Sequence, residues 1–559
     1  MSHPVTFHLN QHACPAPAGE SLFDCAEAMG QPLPTSCQKN GKCRECVVEV
    51  AEGEALLSPR VPAEKHLAPG FRLACCARVT PPADASVGGE IRCHTMRRGA
   101  MRIERHAFHL PGRDRTFVPD PAVTRDGVRI LLDGEEIARG SGPLHGLAID
   151  IGTTTVVLRL LNLETGEVMA DASFENPQRF GGTDVMARIQ FDTLDGTRAL
   201  QRTLATALAR AIEELPVDPQ TIFEVVIAGN STMRDLFFRL DVSPIGQSPY
   251  QSVTEHAVAD GTRTTTSLSE NARRLGLPVH PAARAYGLPV ISGHVGADAA
   301  ACMLAIGLAE EERLVALMDI GTNTELIIGN RHRVLAASCP AGPAFEGGQI
   351  TFGMPGLPGA IERVVMAGDG SIETTVIGDG PPEGICGSGL VDALSELVRT
   401  GRINMLGRFE EGETEIILDA RGERAVTLSE GDINALAQAK GANVAGLRIA
   451  VGEYGASFPE IEVFYLAGGF GRHLNIEASR RIGLIPDIDD ARIVQIGNAS
   501  VEGACLALLS RSRRAALEKL VREVRHCRLE THPRFFDAFV DGCQFRPIDS
   551  VLEAAEPTP

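Results

Sequence analysis

One seven-residue pattern occurs twice in the chain. Residues 149–155 read Ile-Asp-Ile-Gly-Thr-Thr-Thr, and residues 318–324 read Met-Asp-Ile-Gly-Thr-Asn-Thr. In both copies an apolar, strand-forming run leads into an aspartate, a glycine and hydroxyl-bearing side chains. The repeat predicts two related halves that open with the same strand and turn. Beyond residue 146, apolar strands, glycine turns and amphipathic helices alternate, which predicts an α/β architecture.

Both turns carry groups that suit the phosphates of a nucleotide. In the first copy, Gly152, Thr153 and Thr154 offer amides and hydroxyls to phosphate oxygens, and Asp150 is suited to hold hydrated Mg²⁺. The second copy offers Asp319, Gly321, Thr322, Asn323 and Thr324. A single turn of this type is usually structural. Two such turns facing each other can clamp a triphosphate from both sides, so the ordered pair predicts a nucleotide site.

A third element completes this prediction. Residues 464–471 form an apolar strand followed by Gly468, Gly469 and Gly471, which allow the backbone to approach a base or ribose closely. Glu325, just beyond the second turn, is a candidate for the base that activates the attacking water, with a purely structural role as the alternative.

The cysteines are concentrated at the start of the chain, where eight of the 14 lie before residue 100. Cys37, Cys43 and Cys46 have Cys-x5-Cys-x2-Cys spacing, and Cys75 follows later. Three thiolates on one loop and a fourth from a distant segment suit a [2Fe–2S] cluster. A four-cysteine zinc site and unligated thiols are the alternatives, although zinc usually takes two closely spaced pairs. Cys76 competes with Cys75 as the fourth ligand.

Length and charge narrow the remaining possibilities. A chain of 559 residues is too long for one hydrophobic core, so several domains are expected. The net charge of -19, with no Trp and only 4 Tyr, argues against nucleic-acid binding. No apolar run reaches the roughly 18 residues of a spanning helix, and the start has no signal-peptide core. We therefore expect a cytoplasmic protein without a membrane anchor.

These features predict a multidomain chain with an α+β and an α/β part. Residues 1–95 form the cysteine-bearing domain, 96–145 a linker or reduced middle domain, and 146–559 the nucleotide-binding domain. A short hairpin is expected around residues 128–137.

Each part resembles a known family. The cysteine spacing of residues 1–95 is similar to that of β-grasp [2Fe–2S] ferredoxins of the adrenodoxin-like branch. The loops at Asp150, Asp319 and Gly468, in that order, resemble the phosphate and adenosine motifs of the superfamily of acetate kinases, sugar kinases, heat-shock ATPases and actin (ASKHA). By that similarity, residues 292–298 look like the entry to a connecting helix between two lobes.

As a whole, the chain resembles the reductive activators of corrinoid enzymes, in which a ferredoxin domain precedes an actin-like, two-lobed ATPase domain. Residues 176–178 with 182–185, residues 339–348 and residues 384–390 carry this resemblance. It implies ATP-dependent reduction of inactive Co(II) to Co(I) on a corrinoid protein or corrinoid-dependent methyltransferase, with an upstream low-potential electron donor. The loops at residues 180–182 and 341–348 are then expected to face the partner or to be plain surface loops.

The resemblance also sets the cofactors and the alternatives. The expected cofactors are a [2Fe–2S] cluster, ATP and Mg²⁺. Residues 384–389 and 228–232 either contribute to the nucleotide cleft or form structural turns. An activator of 2-hydroxyacyl-CoA dehydratases is the alternative function, whereas a small-molecule kinase would gain nothing from a ferredoxin domain. The oligomeric state is open, with a homodimer among the alternatives.

Overall fold

The structure is a computed structural model that describes most of the chain. The described residues are 5–10, 12–31, 33, 39, 41, 46–65, 67–80, 89–95, 102–104, 118–378, 380–410, 412–422, 424–469, 471–548 and 550–552. Of the four predicted cluster ligands, Cys46 and Cys75 are described, whereas Cys37 and Cys43 lie outside the described residues.

The N-terminal unit is a mixed sheet covered by one helix. Its elements are β1 (Val5–Leu9), β2 (His12–Ala16), α1 (Leu22–Ala28), β3 (Val47–Glu52), β4 (Phe71–Leu73) and β5 (Glu90–Thr95). The strands are ordered β2-β1-β5-β3-β4, with β1 and β5 parallel. Ser21 caps α1, and the helix buries Leu22, Phe23, Cys25 and Ala26. This arrangement is the predicted α+β part.

Between this unit and the large domain lie β6 (Arg102–Glu104) and a small antiparallel sheet of β7 (Val123–Asp126), β8 (Arg129–Leu132) and β9 (Glu135–Arg139). The last two strands are the hairpin expected around residues 128–137, and β7 adds a third strand. β6 pairs with β12 at the edge of the next sheet.

The first lobe of the large domain surrounds a seven-stranded sheet. Its elements are β10 (His145–Ile151), β11 (Thr155–Asn162), β12 (Val168–Glu175), α2 (Val185–Asp195), α3 (Ala199–Glu213), β13 (Ile222–Gly229), α4 (Ser231–Phe237), α5 (Val253–Ala259), β14 (Leu268–Asn271), β15 (Arg284–Gly287) and α6 (Ala297–Ala305). All eight residues of β13 are buried, as expected for a parallel strand with helices on both faces.

The second lobe begins with the second copy of the sequence pattern. Its elements are β16 (Val315–Asp319), β17 (Thr324–Asn330), β18 (Arg333–Cys339), β19 (Ala360–Met366), β20 (Ile372–Val376), β21 (Gly384–Ile385), α7 (Gly387–Arg399), β22 (Glu415–Asp419), β23 (Val426–Ser429), α8 (Glu430–Tyr454), β24 (Val463–Ala467), α9 (Ile476–Arg481), β25 (Ile493–Gly497), α10 (Ala499–Leu509), α11 (Arg511–Glu523), β26 (Arg525–His526) and α12 (Phe535–Gly542).

The sheets of the two lobes repeat one topology. The first contains the strand order β12-β11-β10-β13-β15, and the second β18-β17-β16-β24-β25. In each, the strand that carries the aspartate pairs antiparallel with the next strand and parallel with a later one. Asp150 lies opposite Ala228, and Asp319 lies opposite Ala467. The repeat predicted from the sequence is therefore a structural repeat.

Two helices pack between the lobes at very short separation. The α6 helix is rich in alanine and is almost entirely buried. On α10, a Cβ atom at Gly503 would lie 1.9 Å from the carbonyl oxygen of Ala301, so only glycine permits this contact. The core around these helices joins side chains of both sheets, including Val226 and Leu317. The lobes therefore share a packed interface at the base of the cleft.

Within the described part of the chain, no helix combines the length and apolar character needed to cross a membrane.

Candidate functional site

The first aspartate loop joins β10 to β11 at the opening of the cleft. Asp150 accepts hydrogen bonds from Asn498 Nδ2 (2.9 Å) and Ser500 Oγ (2.8 Å). Both donors lie at the start of α10 in the second lobe, where Asn498 also caps the helix. Burial raises the pKa of Asp150 above its ordinary value. Its two hydrogen bonds leave further oxygen lone pairs for a hydrated cation.

The second aspartate loop joins β16 to β17 in the same way. Cys302 Sγ on α6 lies 3.3 Å from Asp319 Oδ2 and donates to it. Burial, assisted by the nearby charges of Asp150 and Glu346, raises the pKa of Asp319 to about 7. The charge of Asp150 thus raises the pKa of Asp319, and a divalent cation held by both carboxylates would remove this repulsion.

The two loops meet through their threonine side chains. Thr154 Oγ1 lies 2.8 Å from Thr322 Oγ1. Both hydroxyls are within hydrogen-bonding range of one carboxylate oxygen, Glu346 Oε2, at 2.9 Å from Thr154 and closer still from Thr322. Thus the structure brings together the predicted residues of both loops and adds Glu346, which the sequence analysis did not single out.

Side chains from three later segments support the first loop. Asn176 Nδ2 donates to the carbonyl of Gly152 (2.8 Å), and the backbone amide of Asn176 donates to the carbonyl of Thr154 (2.6 Å). Arg188, fully buried on α2, donates to the carbonyl of Thr153 (2.7 Å). Asn230 Nδ2 donates to Thr153 Oγ1 (3.0 Å). These bonds satisfy the carbonyls and fix the shape of the loop, within which the amide of Gly152 donates to the carbonyl of Thr155 (3.0 Å).

The glycine-rich loop after β24 packs directly against the second aspartate loop. Gly468 adopts φ 115°, and a Cβ atom there would lie 2.4 Å from the carbonyl oxygen of Ile320. Gly229 makes the equivalent contact in the first lobe, where a Cβ would lie 2.6 Å from Ile151 O. Gly469 is exposed and Gly471 is buried behind it. The glycine requirement at residue 468 therefore comes from close backbone packing.

Two further carboxylates lie behind the loops. Asp298 is in the first turn of α6, and burial together with the charge of Asp150 raises its pKa to about 7. Glu325, the predicted base, is 3% exposed and accepts from Ser338 Oγ at 2.9 Å. Burial and the charge of Asp298 raise the pKa of Glu325 well above its ordinary value.

The structure shows where the remaining glycine-containing segments of the large domain lie relative to the cleft. Residues 297–305 form the helix expected after residues 292–298. Asn230 contacts the first loop, so residues 228–232 contribute to the cleft. Residues 384–389 instead pack on β19 and its neighbours, where a Cβ at Gly389 would lie 2.3 Å from Ile361 O. Their glycines therefore allow β21 and the start of α7 to pack closely on β19.

The expectation that residues 180–182 face a partner is wrong for Phe180. Its ring is fully buried and packs edge-on against Phe191, with the centroids 5.3 Å apart. Its carbonyl accepts from the amide of Ala68 in the N-terminal unit (3.2 Å). The segment therefore lies against the N-terminal unit of the same chain. In residues 341–348, Ala344 and Phe345 are likewise buried.

The two described cysteine ligands lie together in the N-terminal unit. Cys46 and Cys75 are both buried, and a hydrogen bond with the Cys46 side chain lowers the pKa of Cys75 to about 6. Gly41 donates its amide to Cys75, and a Cβ at Gly41 would lie 2.9 Å from Cys76 Sγ. Thiols that ionise readily beside a backbone amide fit an iron–sulfur cluster.

A buried ion pair orients the strand that leads to Cys75. Glu64 accepts from Arg72 Nε (2.9 Å) and from the amides of Leu73 (2.9 Å) and Val61 (3.0 Å). The side chains of Glu64 and Arg72 are 0% and 2% exposed. Because the carboxylate is fully hydrogen-bonded, it can remain ionised in the core and hold β4 in place.

The residues that sequence reasoning missed come from distant segments. They are Asn176, Arg188, Cys302, Glu346, Asn498 and Ser500. The sequence marked residues 176–178 and 339–348 only as carriers of a resemblance. A polar side chain directly after the end of a strand is the one local signal that could have indicated Asn176 and Asn498.

Comparison with known proteins gives three domain matches. Residues 7–80 match the 2Fe-2S iron-sulfur cluster binding domain. Residues 145–311 match the RACo middle region, and residues 313–553 match the C-terminal domain of RACo, the ASKHA domain. The middle region therefore begins after the segment 96–145 and includes the first lobe.

Individual relatives cover between 73% and 98% of the chain. It is 27% identical to the corrinoid activation enzyme RamQ of Eubacterium limosum, covering 94% of this chain and 96% of that protein. It is 25% identical to a [Co(II) methylated amine-specific corrinoid protein] reductase of Methanosarcina barkeri, covering 73% and 80%. The solved structure of a reductive activator for corrinoid, iron-sulfur protein superposes with a TM-score of 0.71 at 27% identity, covering 98% and 99%. The predicted order, a ferredoxin-like domain followed by an ASKHA domain, is confirmed.

Proposed function

The chain belongs to the RACo family, and from that premise we propose that it reduces the cobalt of a corrinoid protein from Co(II) to Co(I) in an ATP-dependent reaction. The relatives are named as a corrinoid activation enzyme and as a corrinoid protein reductase. The partner is then a corrinoid protein or corrinoid-dependent methyltransferase, and a low-potential donor supplies the electron.

The N-terminal unit serves the redox step. Cys37, Cys43, Cys46 and Cys75 would hold the [2Fe–2S] cluster, which supplies one-electron transfer when bound. An external donor is oxidised by one electron, and that electron reduces one Co(II) to Co(I). No further reactant is needed. The buried Glu64–Arg72 pair holds the strand before Cys75 and so restrains the position of that ligand.

The cleft serves the energy-supplying step. Asp150 and Asp319 would hold Mg²⁺, and the hydroxyls of Thr154 and Thr322 would bind phosphate oxygens. The buried carboxyl groups fit a cation, since burial raises the pKa values of both aspartates and the charge of Asp150 raises that of Asp319 further. Moving an electron uphill costs about 2.3 kcal/mol for each 100 mV. Nucleotide turnover can offset such a cost by shifting the population of conformations of the activator and its partner.

One observation carries this proposal. A sulfur-rich redox domain and a two-lobed cleft occur in one chain, and hydroxyls from both aspartate loops meet at 2.8 Å inside the cleft. A small-molecule kinase has no use for the redox domain, and the match of residues 7–80 to a 2Fe-2S domain favours the corrinoid reaction over the dehydratase alternative.

The test follows the cobalt spectrum. Purified protein is mixed with a low-potential reductant and a Co(II) corrinoid protein, with ATP or with a non-hydrolysable analogue. We expect the Co(I) absorption band to appear only with ATP, Mg²⁺ and the activator together. Equal rates with and without nucleotide would contradict ATP dependence, and no reduction of any corrinoid protein would contradict the substrate class.

A further inference from the structure

Carboxylates crowd the cleft, and each described one has a distinct set of partners. Asp150 is held by Asn498 and Ser500, and Asp319 by Cys302. Asp298 accepts from the amide of Ala299 at 2.8 Å. Glu325 accepts from Ser338, and its second oxygen has no hydrogen-bond partner among the described residues. None of these five hydrogen bonds involves the hydroxyl of Thr154 or Thr322.

Glu346 differs because it contacts both loops at once. Its Oε2 atom accepts from Thr154 of the first lobe and from Thr322 of the second. It is anchored by its neighbours: Ala344 and Phe345 are buried in the core of the second lobe. The amide of Gly342 donates to the carbonyl of Thr322 at 2.9 Å, which ties the same segment to the second loop.

A triphosphate clamped between the two loops, as the proposed function requires, would end next to this position. A hydroxyl that donates to a carboxylate oxygen can donate equally to a phosphate oxygen, since both are anionic acceptors. If the terminal phosphate took the two threonine hydroxyls, the Glu346 carboxylate would lose both hydroxyl donors, keep its hydrogen bond with the Thr322 backbone, and face the phosphate. A water molecule bound there would replace the lost donors.

We propose that Glu346 is a catalytic residue that orients the attacking water and accepts its proton. This inference rests on the proposed function, namely that the cleft hydrolyses ATP. In the step, the water oxygen bonds to the terminal phosphorus and the bond from that phosphorus to the bridging oxygen of ADP breaks. The bridging oxygen keeps the electron pair, and one water proton moves to Glu346. Burial raises the pKa of Glu346, which strengthens it as a proton acceptor.

The test compares single substitutions in the full-length protein. With Glu346→Gln we expect kcat for ATP hydrolysis to fall at least about 100-fold, as is usual for loss of a general base, with little change in ATP affinity. Exposed Glu373 on β20 provides a matched control, since Glu373→Gln removes a carboxylate outside the cleft. The thermal unfolding midpoint and the visible spectrum of each variant report whether it is folded.

The outcomes separate this inference from the proposed function. If the wild type hydrolyses ATP and Glu346→Gln does so at the same rate, the assignment of Glu346 is wrong while the function stands. The same conclusion follows if Glu325→Gln, and not Glu346→Gln, lowers kcat. If Glu346→Gln instead weakens ATP binding without affecting kcat, the residue is a ligand of the nucleotide and not a catalytic group. A wild type that binds no ATP would overturn the proposed function itself.

A separate set of contacts joins the nucleotide loop to the N-terminal unit. The 3₁₀ turn Pro177–Gly181 lies between them. On one side, Arg179 Nη2 lies 3.3 Å from Glu49 Oε1 of β3, and the carbonyl of Phe180 accepts from Ala68. The side chains of Arg179 and Glu49 are both about one-fifth exposed, at 22% and 18%. The pair is therefore shielded from much of the solvent.

The other side of the same turn touches the first aspartate loop. Asn176, the residue that caps the turn, bonds to Gly152 and Thr154. The guanidinium of Arg188 donates both to the carbonyl of Gly182 (3.1 Å) and to the carbonyl of Thr153. A shift of the loop on binding phosphate would therefore move both ends of the turn.

We infer that the Pro177–Gly181 turn transmits the nucleotide state to the N-terminal unit through Arg179 and Glu49. This also rests on the proposed function. Glu49→Lys places a like charge opposite Arg179, whereas Glu20→Lys, an exposed site in the same unit, is the matched control. We expect Glu49→Lys to reduce the ATP stimulation of corrinoid reduction at least about 5-fold while ATP hydrolysis stays within about 2-fold.

The cluster potential distinguishes transmission from damage to the cluster. In an EPR-monitored redox titration we expect the same potential in wild type and Glu49→Lys. Wild-type ATP stimulation in Glu49→Lys, or a shifted potential that accounts for the slower reduction, would overturn this inference. A wild type without ATP stimulation would instead overturn the proposed function.

Discussion

The hydroxyl oxygens of Thr154 and Thr322 lie 2.8 Å apart, although the residues belong to different lobes of the cleft. Each threonine follows an Asp-Ile-Gly sequence at the end of a buried strand. The sequence repeat therefore has a functional consequence in space, because it brings one hydroxyl from each half to the same point, although Thr322 aligns with Thr153 and Thr154 aligns with Asn323. A ligand that bridges them must contact both lobes, so its binding is linked to their relative position.

Removal of one of these hydroxyls is expected to weaken nucleotide binding. In Thr322→Val the shape is kept and one donor is lost, so we expect ATP affinity to fall roughly 10-fold, which corresponds to about 1.4 kcal/mol. Thr155→Val is the control, because Thr155 is exposed at the start of β11. Isothermal titration with a non-hydrolysable ATP analogue provides the measurement. Equal affinity in Thr322→Val and wild type would exclude the hydroxyl as a ligand.

Close backbone packing at Gly468 is expected to be essential to the second loop. In Gly468→Ala the new Cβ must displace Ile320 O, which lies only 2.4 Å from its position, so we expect ATP affinity to fall more than about 10-fold. Gly431→Ala on α8 is the control, since its nearest neighbour is a side-chain oxygen at 3.5 Å. Fluorescent-nucleotide titration measures both. An undiminished affinity in Gly468→Ala would show that the loop can shift without affecting the site.

The choice between adjacent thiols can be decided by substitution. Cys75 is buried and hydrogen-bonded to Cys46, and Cys76 Sγ lies 3.7 Å away from Cys75 Sγ. We expect Cys75→Ser to lose the visible absorption and EPR signal of the cluster, and Cys76→Ser to keep both. Iron and sulfide analysis of the purified variants gives the occupancy. The reverse pattern would assign Cys76 as the ligand.

The buried lysine Lys440 on α8 predicts a pH dependence of stability. Its Nζ donates to the carbonyl of Gln544 at 2.7 Å, and burial lowers the pKa of Lys440 to about 7. Between this value and the ordinary 10.5 the unfolded chain binds the proton that the native protein lacks. The contribution of Lys440 to the free energy of unfolding therefore rises as pH increases from about 7 to about 10.

Lys440→Met is expected to remove this dependence. At pH 7 the variant should be more stable than wild type, and the difference should shrink toward pH 10, by an amount on the order of 2 kcal/mol. Thermal unfolding followed at pH 7, 8.5 and 10 measures it, with Lys519→Met on α11 as a control. If the wild-type and Lys440→Met curves run parallel across this range, Lys440 keeps an ordinary pKa.

Local patterns were sufficient for the repeat and for the order of the two domain types. The strand before Asp150 and the strand before Asp319 are apolar runs that end in a turn, and such features depend on residues that are neighbours in the chain. The cysteine spacing likewise indicated the redox domain without knowledge of its surroundings. The topology of the two sheets follows the repeat, with equivalent pairing around both aspartates.

Local sequence patterns did not predict which side chains and segments contact the two aspartate loops. Residues 180–182 read as an exposed glycine turn, yet the ring of Phe180 is buried against Phe191, and its carbonyl accepts from Ala68 of the N-terminal unit. Glu325, the nearest carboxylate in sequence to the second turn, bonds to Ser338, whereas Glu346 reaches the hydroxyls. On a strand, successive side chains point to opposite faces, so adjacency in sequence does not place Glu325 beside the hydroxyls of the turn.

The sequence by itself determined that this chain has twin aspartate turns, a glycine loop after a buried strand, and a ferredoxin-type cysteine spacing, because each is written in residues close together along the chain. Only the tertiary structure decided which side chains complete the cleft and where the N-terminal unit contacts it. Asn498 contacts Asp150, and Arg179 contacts Glu49. In both pairs more than one hundred residues of chain separate the two partners. Such contacts depend on how whole sheets and helices pack, and no local pattern of residues specifies that packing.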